Sequence, residues 1–277
     1  MSTGSTLSIA AVAGLAVLQG VAEFLPISSS GHLVLAQNAL GLDLDEGGAA
    51  MTLVVFLHTG TLISVLLFYR RRIAELVAGL IRGDRPAWRY ALCLLLSAIP
   101  AVALYLVAGD SLESAFSNVR SVAICLCVTG AILCAPELVI RRRANRAAGD
   151  GPDAVTAPRA LLTGVAQAFA MLPGISRSGS TITAARLCGI PAKAAAEFSF
   201  LMSLPLLFGA TVLELFKFFK SGAAPVLPWS TVLFGVLVAA AVGYASLSLL
   251  VGMLRKGSFW IFGVYCIVIG VCALLFL

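Results

Sequence analysis

Two short stretches of this sequence combine residues that bind phosphate with residues that exchange protons. The first covers positions 19–32 and contains Glu23, three consecutive serines and His32. Gln19 and Glu23 are four residues apart and therefore share one face of a helix. A carboxylate in so apolar a stretch is costly to bury and is usually functional, so we expect acid–base or metal chemistry here. The alternative is a structural carboxylate that accepts hydrogen bonds from the loop beside it.

The second stretch covers positions 173–181 and contains Arg177 between hydroxyls and glycines. Glycine-rich turns free backbone N–H groups, a following helix N-terminus carries partial positive charge, and a guanidinium binds phosphate through two hydrogen bonds. The composition predicts a phosphate site, although it does not match the P-loop pattern. The alternative is that Arg177 pairs with Glu23 only to hold the two stretches together. In either case we expect Glu23 and Arg177 to line one cavity.

Three further polar residues lie in apolar surroundings. His58 either lines the same cavity or is a structural histidine. We interpret Gln167 and Glu197 as groups that support the residues of the site or that hold helices together.

The elements that position these residues must be membrane helices. Of the 277 residues, 60% are hydrophobic and only 12% are charged, with a mean hydropathy of +1.01. A soluble domain carries about 25% charged residues, so this chain lacks the charge to cover a surface that faces water. The apolar runs are continuous, whereas the strands of an outer-membrane barrel alternate apolar and polar residues. We therefore expect an all-α, polytopic membrane protein.

The net charge of +6 reflects membrane topology. The 19 Lys and Arg residues, against 13 Asp and Glu, cluster beside apolar runs, which is typical of cytoplasmic loops rather than of nucleic-acid binding. The seven cysteines lie singly in apolar stretches and indicate packing, without a disulfide framework or metal site. No basic residue precedes Arg70, so we expect the first apolar segment to remain in the mature protein.

Six apolar runs are long enough to span a membrane. They lie at about 50–69, 90–107, 121–140, 197–219, 231–253 and 258–277. Two more stretches, about 7–41 and 160–190, are apolar but are broken in the middle by Pro, Gly and Ser. Alternation of the acidic loop at 43–46 with the basic clusters requires each broken stretch to begin and end on one side, so we predict two re-entrant helical hairpins.

The two halves of the sequence resemble each other. Gly20-Val-Ala-Glu23 recurs as Gly164-Val-Ala-Gln167, and Ile27-Ser-Ser-Ser-Gly31 recurs as Ile175-Ser-Arg-Ser-Gly179. Three spans separate the copies, so the second must enter the membrane from the opposite side, as in an inverted-topology repeat. We predict one membrane domain over 1–277, with repeats at about 7–140 and 160–277 and a cytoplasmic loop at about 141–159.

At these residues the sequence resembles the undecaprenyl pyrophosphate phosphatase family of the bacitracin-resistance type. Positions 19–32 are similar to the family's Glu/Gln-x-x-x-Glu motif and serine run, positions 173–181 to its second signature, and 197–200 also match. The likeness covers nearly the whole chain. It implies hydrolysis of undecaprenyl diphosphate to undecaprenyl phosphate and inorganic phosphate, which recycles the lipid carrier for peptidoglycan synthesis and confers bacitracin resistance.

The resemblance also implies a setting for this reaction. It implies dependence on a divalent metal, Mg²⁺ or Ca²⁺. The protein would lie in the bacterial cytoplasmic (inner) membrane, with its active site open to the outer, periplasmic side. The family's fold, six spans and two re-entrant hairpins in an inverted repeat, agrees with the predicted topology.

Carried over by position, the resemblance assigns roles to individual residues. Glu23 would bind metal or activate the attacking group, Ser29 would be the nucleophile or a phosphate ligand, and His32 would be the general acid or base. Arg177 would clamp the diphosphate. The other phosphate ligands would be hydroxyls: Ser28, Ser30, Ser176, Ser178 and Thr181.

The chain departs from the family pattern at two positions. Gln19 stands where many members have Glu, which weakens it as a second metal ligand beside Glu23. Cys266 follows Tyr265 where a Tyr-Arg pair is expected, which removes a phosphate contact from the last helix.

A transporter that flips a polyprenyl phosphate is the alternative function. An inverted repeat with broken helices is transporter architecture, and the Arg177 stretch would bind a lipid phosphate without cutting it. Glu23 and His32 favour the enzyme, because an anion carrier has little use for a buried carboxylate. The sequence leaves open whether Ser29, His32 or water attacks, and it leaves open the metal, the lipid chain length and the oligomeric state, with a homodimer as one option.

Overall fold

The computed structural model describes residues 8–40, 49–114, 118–140, 154–220 and 227–277. Within these ranges the chain forms eleven helices and no strand. In chain order they are α1 (Ile9–Phe24), α2 (Ser29–Leu40), α3 (Ala49–Phe68), α4 (Arg70–Arg82), α5 (Arg85–Ser114), α6 (Val119–Ile140), α7 (Ala157–Phe169), α8 (Arg177–Leu187), α9 (Ala192–Lys220), α10 (Trp229–Arg255) and α11 (Trp260–Phe276). The predicted acidic loop at 43–46 and most of the predicted cytoplasmic loop (141–153) lie outside the described residues.

Four of the helices are long and apolar enough to cross a membrane. The spanning segments are Arg85–Gly109, Val119–Pro136, Ala192–Leu213 and Trp229–Arg255. Shorter apolar helices cover Ile9–Phe24, Val55–Phe68 and Trp260–Phe276. The prediction of a helical, multi-pass membrane protein is therefore confirmed, and four of the six predicted spans reach full length. The other two predicted spans correspond to shorter apolar segments among the described residues, Val55–Phe68 within α3 and Trp260–Phe276 in α11.

Small residues allow the helices to approach closely. α10 packs along α1 and α3, and a Cβ added to Gly20 would lie 2.9 Å from the carbonyl oxygen of Ala239. A Cβ on Gly243 would lie 2.6 Å from the Phe24 ring. α6 and α11 meet in the same way, because a Cβ on Gly263 would lie 2.8 Å from the carbonyl oxygen of Gly130. Close packing by glycine is the usual solution in membranes, where apolar burial alone does not hold helices together.

Both broken stretches fold as two helices joined by a turn. The first turn lies between Phe24, the end of α1, and Ser29, the start of α2. The second lies between Phe169, the end of α7, and Arg177, the start of α8. α1 also packs along α10, and α7 packs along α5, so each turn is held inside the bundle by a long helix.

The arginines of α4 and of the start of α5 lie at one end of the bundle, which is called the basic end. α4 is a polar helix outside the spans, and its Arg72 pairs with Glu197 at the start of α9 at 2.7 Å. Arg186, at the end of α8, lies over the ring of Phe259, just before α11, at 6.0 Å. Because α8 runs from its turn to this basic end, the turns must lie deeper in the bundle.

Candidate active site

The two turns meet inside the bundle. A Cβ on Gly31 would lie 3.0 Å from Cα of Gly174, and a Cβ on Gly179 would lie 3.2 Å from Cβ of Pro26. The first turn thus packs against the second on both sides. The second turn is hydrogen-bonded to Thr129 of α6. Thr129 lies ten residues after the start of α6, which is about 15 Å along the helix axis. This distance is about half the thickness of a 30 Å hydrocarbon core.

The two turns use the same hydrogen bonds. Ser28 Oγ accepts from the amide of Gly31 at 3.2 Å and lies 3.3 Å from Ser30 Oγ. Ser176 Oγ accepts from the amide of Gly179 at 3.1 Å and lies 3.3 Å from Ser178 Oγ. A serine that caps the amide three residues ahead begins a helix. The N-termini of α2 and α8 therefore begin at adjoining turns, and such N-termini favour anions.

Glu23 is the centre of the polar contacts. Its Oε1 accepts a hydrogen bond from Arg177 at 2.5 Å, and its Oε2 accepts from Ser29 Oγ at 2.8 Å and from Gln19 Nε2 at 3.2 Å. His58 Nε2 lies 3.9 Å from the same Oε2. Glu23 is buried, so a cation and two neutral donors compensate its charge.

The site residues divide into a buried set and a half-open set. The half-open side chains are those of Ser29, Ser30, His32, His58 and Arg177. Ser28, Ser176, Ser178 and Thr181 are buried. One side of the site is therefore accessible, and Ser29 and Arg177, which both contact Glu23, belong to that side.

His32 is held in one orientation by its two ring nitrogens. Its Nδ1 lies 2.9 Å from the carbonyl oxygen of Ser28, and its Nε2 lies 2.9 Å from the Tyr265 hydroxyl. A carbonyl only accepts, so Nδ1 carries the proton, and in a neutral ring Nε2 accepts from Tyr265. Ser28 has a φ of 70°, a left-handed conformation unusual for serine. Ser28 adopts this conformation in the turn whose geometry points the Ser28 carbonyl oxygen toward His32.

Several predicted residues have other partners. The Thr181 hydroxyl bonds to the carbonyl oxygen of Arg177 and to Ser199 Oγ, at 2.7 and 2.6 Å. Glu197 pairs with Arg72 at the basic end. Gln167 is buried, and neither polar atom of its side chain has a hydrogen-bond partner among the described residues. Thr181 thus links α8 to α9 and Glu197 links α9 to α4. Holding helices together is one of the two roles expected of Glu197.

Three contributors to the site, Thr129, Ser199 and Tyr265, have no recognisable sequence signal. Thr129 Oγ1 donates to the Gly174 carbonyl at 2.8 Å and accepts from the Ser176 amide at 3.0 Å. It looks like an ordinary threonine in an apolar run, as does Ser199 in α9. In the sequence Tyr265 stands out only because Cys266 follows it. Cys266 Sγ lies 3.7 Å from the Pro26 carbonyl oxygen. The departure from a Tyr-Arg pair therefore places a small thiol against the first turn.

The donor set fits one kind of metal. The described residues contain no group of three or more His, Cys, Asp and Glu side chains that could hold an ion. Glu23 offers one carboxylate, and Gln19 Oε1 is buried and has no hydrogen-bond partner among the residues that the structure describes. Mg²⁺ commonly binds through one or two protein oxygens together with substrate phosphates and water, whereas Ca²⁺ takes six to eight oxygens. The residues present therefore fit Mg²⁺ shared with a substrate better than a complete protein cage.

Comparison with known proteins identifies the family. The model of the family described as Bacitracin resistance protein BacA matches residues 12–272. An undecaprenyl-diphosphatase of Halothermothrix orenii is 38% identical over 93% of both chains. One from Methanococcus maripaludis is 37% identical over 95% of this chain and 98% of its own, and Burkholderia ambifaria undecaprenyl-diphosphatase 2 is 36% identical over 93% and 92%. These matches confirm the resemblance read from the two motifs, and the chain belongs to the bacitracin resistance protein BacA family.

Proposed function

We propose that this protein is a membrane phosphatase that hydrolyses undecaprenyl diphosphate to undecaprenyl phosphate and inorganic phosphate. Similar proteins over nearly the full length are named for this activity. The observation that carries the proposal is the contact of Glu23 with both Arg177 and Ser29. It combines an anion-binding cation, a hydroxyl and a base at one point.

Arg177 and the two helix N-termini bind the diphosphate. The Nη1 atom of Arg177 is buried and has no hydrogen-bond partner among the described residues. A phosphate oxygen that reaches this guanidinium gains a charge-assisted hydrogen bond. The adjoining starts of α2 and α8 add backbone N–H groups, which stabilise the charge that develops on the bridging oxygen as its bond to phosphorus breaks.

Ser29 is the nucleophile in this mechanism, and Glu23 is its base. The Ser29 hydroxyl already donates to Glu23, the geometry expected of an activated nucleophile. As the Ser29 oxygen bonds to the terminal phosphorus, its proton passes to Glu23 and undecaprenyl phosphate leaves. Water then attacks the phosphorus of the phosphoserine, and inorganic phosphate leaves as Glu23 returns its proton to the Ser29 oxygen. Tyr265 holds His32 in register before this step. The attacking water replaces the Tyr265 hydroxyl as hydrogen-bond donor to Nε2 of His32, which accepts the proton of that water.

Glu23 and Gln19 would hold Mg²⁺, or Ca²⁺, together with the substrate. A divalent cation supplies additional charge neutralisation at the phosphates. Glu23 would then share its carboxylate between Arg177 and the cation, and Gln19 would keep the carboxylate in place through its amide N–H.

The finer topology is also a proposal: an inverted repeat of six spans with two re-entrant hairpins. Two features support it. The Ser28 and Ser176 turns make the same hydrogen bonds, and α1 packs on α10 as α7 packs on α5, which relates the two halves pairwise.

With the basic end in the cytoplasm, the protein lies in the cytoplasmic membrane and the site opens to the outer side. A homodimer stays a prediction.

The alternative is transport of a polyprenyl phosphate. It is favoured by Gln167, which occupies the position in the second repeat that Glu23 occupies in the first. The Gln167 side chain is buried and finds no hydrogen-bond partner in the described part of the chain. A transporter would need a second polar site of this kind.

Phosphate release from undecaprenyl diphosphate by the purified protein tests these proposals. Ser29→Ala should abolish release, whereas Ser248→Ala, which removes an exposed hydroxyl bonded to the Tyr244 carbonyl, should leave it unchanged. When the wild-type protein is incubated with labelled substrate, we expect to trap the label as a phosphoserine at Ser29. Binding without release by wild-type protein would refute the phosphatase and support transport, and full release by Ser29→Ala would reassign the nucleophile.

A further inference from the structure

Two cavities at the basic end share one wall. The first, about 440 Å³, lies between α4 and the start of α5 and is lined by charged and apolar residues together with Tyr90. The second, about 600 Å³, lies between α5 and the start of α7 and is lined mainly by apolar atoms. Arg85 and Arg89 line both cavities. Two cations thus lie between the first cavity, which contains the charged side chains and is called the polar cavity here, and the second, the apolar cavity.

The first helical turns of α5 place these groups in order of depth. Arg85, Arg89, Leu92 and Leu96 are spaced by four, three and four residues, so they share one helix face. The stripe is about 16 Å long, and it enters the spanning segment at Arg85. The cations therefore lie at the membrane edge, and the two leucines lie deeper, where Leu92 is 58% exposed.

Trp88 marks the level of the lipid headgroups on the same turn. It is half exposed, lines the apolar cavity, and donates its indole N–H to the Leu80 carbonyl at 3.2 Å. Tryptophan with one polar and one apolar end favours the membrane interface. Val77 and Ile81 of α4 are also exposed, which is typical of an amphipathic helix that lies on the bilayer.

The acidic residues of the polar cavity already have partners. Asp84 Oδ2 lies 3.3 Å from Arg82 Nε, and Glu75 Oε2 lies 3.6 Å from Arg72 Nη1. Within the part of the chain that the structure describes, no hydrogen bond or ion pair involves Arg85. The charge of Arg85 is therefore not paired within the described residues, whereas Arg89 has an interaction of its own.

We infer that this paired cavity binds an anionic phospholipid of the adjoining leaflet. Its phosphate would contact Arg85 and Arg89, and one acyl chain would lie against Leu92 and Leu96 in the apolar cavity. The order of charge, aromatic ring and leucines along α5 matches the order of phosphate, interface and hydrocarbon in a lipid. This site lies at the opposite end of α8 from Arg177, so it is separate from the candidate active site.

Trp88 provides a direct probe of this cavity. The chain has three tryptophans, so Trp229→Phe with Trp260→Phe leaves Trp88 as the sole one. The protein is reconstituted in phosphatidylcholine bilayers that contain phosphatidylglycerol or phosphatidylcholine with brominated chains, which quench a tryptophan on contact. We expect the brominated phosphatidylglycerol to quench Trp88 with about tenfold higher apparent affinity, because each arginine near an anionic lipid contributes a factor of about five and the neighbouring acids reduce it.

Three pairs of substitutions, each in the single-tryptophan protein, test the assignment. Arg85→Gln with Arg89→Gln should abolish the preference for the anionic lipid, and Arg85→Lys with Arg89→Lys should retain most of it. Arg255→Gln with Lys256→Gln removes two exposed charges from the same end and should change nothing.

Three outcomes would overturn the inference. Equal quenching by the two lipids would refute a charge-selective site. Loss of the preference in the Arg255 and Lys256 variant would assign it to the overall charge of this end. Displacement of the brominated phosphatidylglycerol by an equimolar amount of polyprenyl phosphate would assign the cavity to the carrier lipid instead. Because quenching does not depend on hydrolysis, none of these outcomes bears on the proposed phosphatase.

Discussion

Arg177 either holds the two turns together through Glu23 or binds substrate, and one conservative change separates these roles. Arg177→Lys keeps a cation beside Glu23 but removes the planar guanidinium that binds phosphate through two hydrogen bonds. Arg177→Gln removes the cation itself. The comparison of the two variants therefore distinguishes charge pairing from phosphate binding.

The expected magnitudes follow from the contacts of Glu23. Breaking a buried ion pair costs about 3–5 kcal/mol, and Glu23 retains its hydrogen bonds from Ser29 and Gln19. We therefore expect Arg177→Gln to lower the free energy of unfolding by about 3 kcal/mol, at the lower end of that range. Arg177→Lys should lose less than about 1.5 kcal/mol, because a charged hydrogen bond remains. Hydrolysis by Arg177→Lys should fall by about 10²–10³-fold, the effect of losing one transition-state donor.

Unfolding in mixed micelles and phosphate release are measured on the same preparations. Glu23→Gln and the double variant with Arg177→Gln complete a double-mutant cycle, for which we expect a coupling of about 2 kcal/mol. Arg120→Lys, an exposed arginine on α6, is the matched control. Release by Arg177→Lys within about threefold of wild type would refute phosphate binding by the guanidinium, and strict additivity in the cycle would refute the buried pair.

Three further predictions concern the residues around this pair. Tyr265→Phe should lower kcat about tenfold while lipid binding stays unchanged, because His32 Nε2 loses the donor that orients it; an unchanged kcat would separate His32 from the chemistry. Thr129→Val, which is nearly isosteric, should lower the free energy of unfolding by about 2 kcal/mol, because it leaves a buried amide and carbonyl of the second turn without partners. Thr59→Val on α3 is the control. An equal loss of unfolding free energy in the two variants would contradict this role of Thr129. Chelator should abolish release, and Gln19→Glu should lower the Mg²⁺ concentration needed to restore it, since a second carboxylate joins Glu23; release that persists in chelator would exclude the metal.

The sequence predicted those features that depend on local pattern. Continuous apolar runs identified the membrane helices, and Pro, Gly and Ser at positions 26–31 and 173–179 identified both breaks. Glu23 and Arg177, which the sequence leads us to expect in one cavity, share a hydrogen bond. That expectation relied on the internal repeat and on the family resemblance, because no local rule brings together residues 154 positions apart.

The sequence did not predict the partners that Glu197 and His32 find on distant helices. We expect Glu197 either to support the site or to hold helices together, and the sequence does not reveal that its partner is Arg72, 125 positions away. Tyr265 lies 233 positions from His32, and in an apolar helix a tyrosine has no feature that predicts its partner. Such pairs are set by how helices rotate as they pack, and the depth of Thr129 beside the second turn is set in the same way.

The pairing of Glu23 with Arg177 has a consequence for inhibition. A purely anionic compound that takes Arg177 leaves a buried carboxylate without its cation, and that loss opposes binding. A zwitterionic compound, with an ammonium group next to its phosphonate, would satisfy both residues at once. Compounds of this kind should therefore bind more tightly than the equivalent anions, and their advantage should vanish in Glu23→Gln.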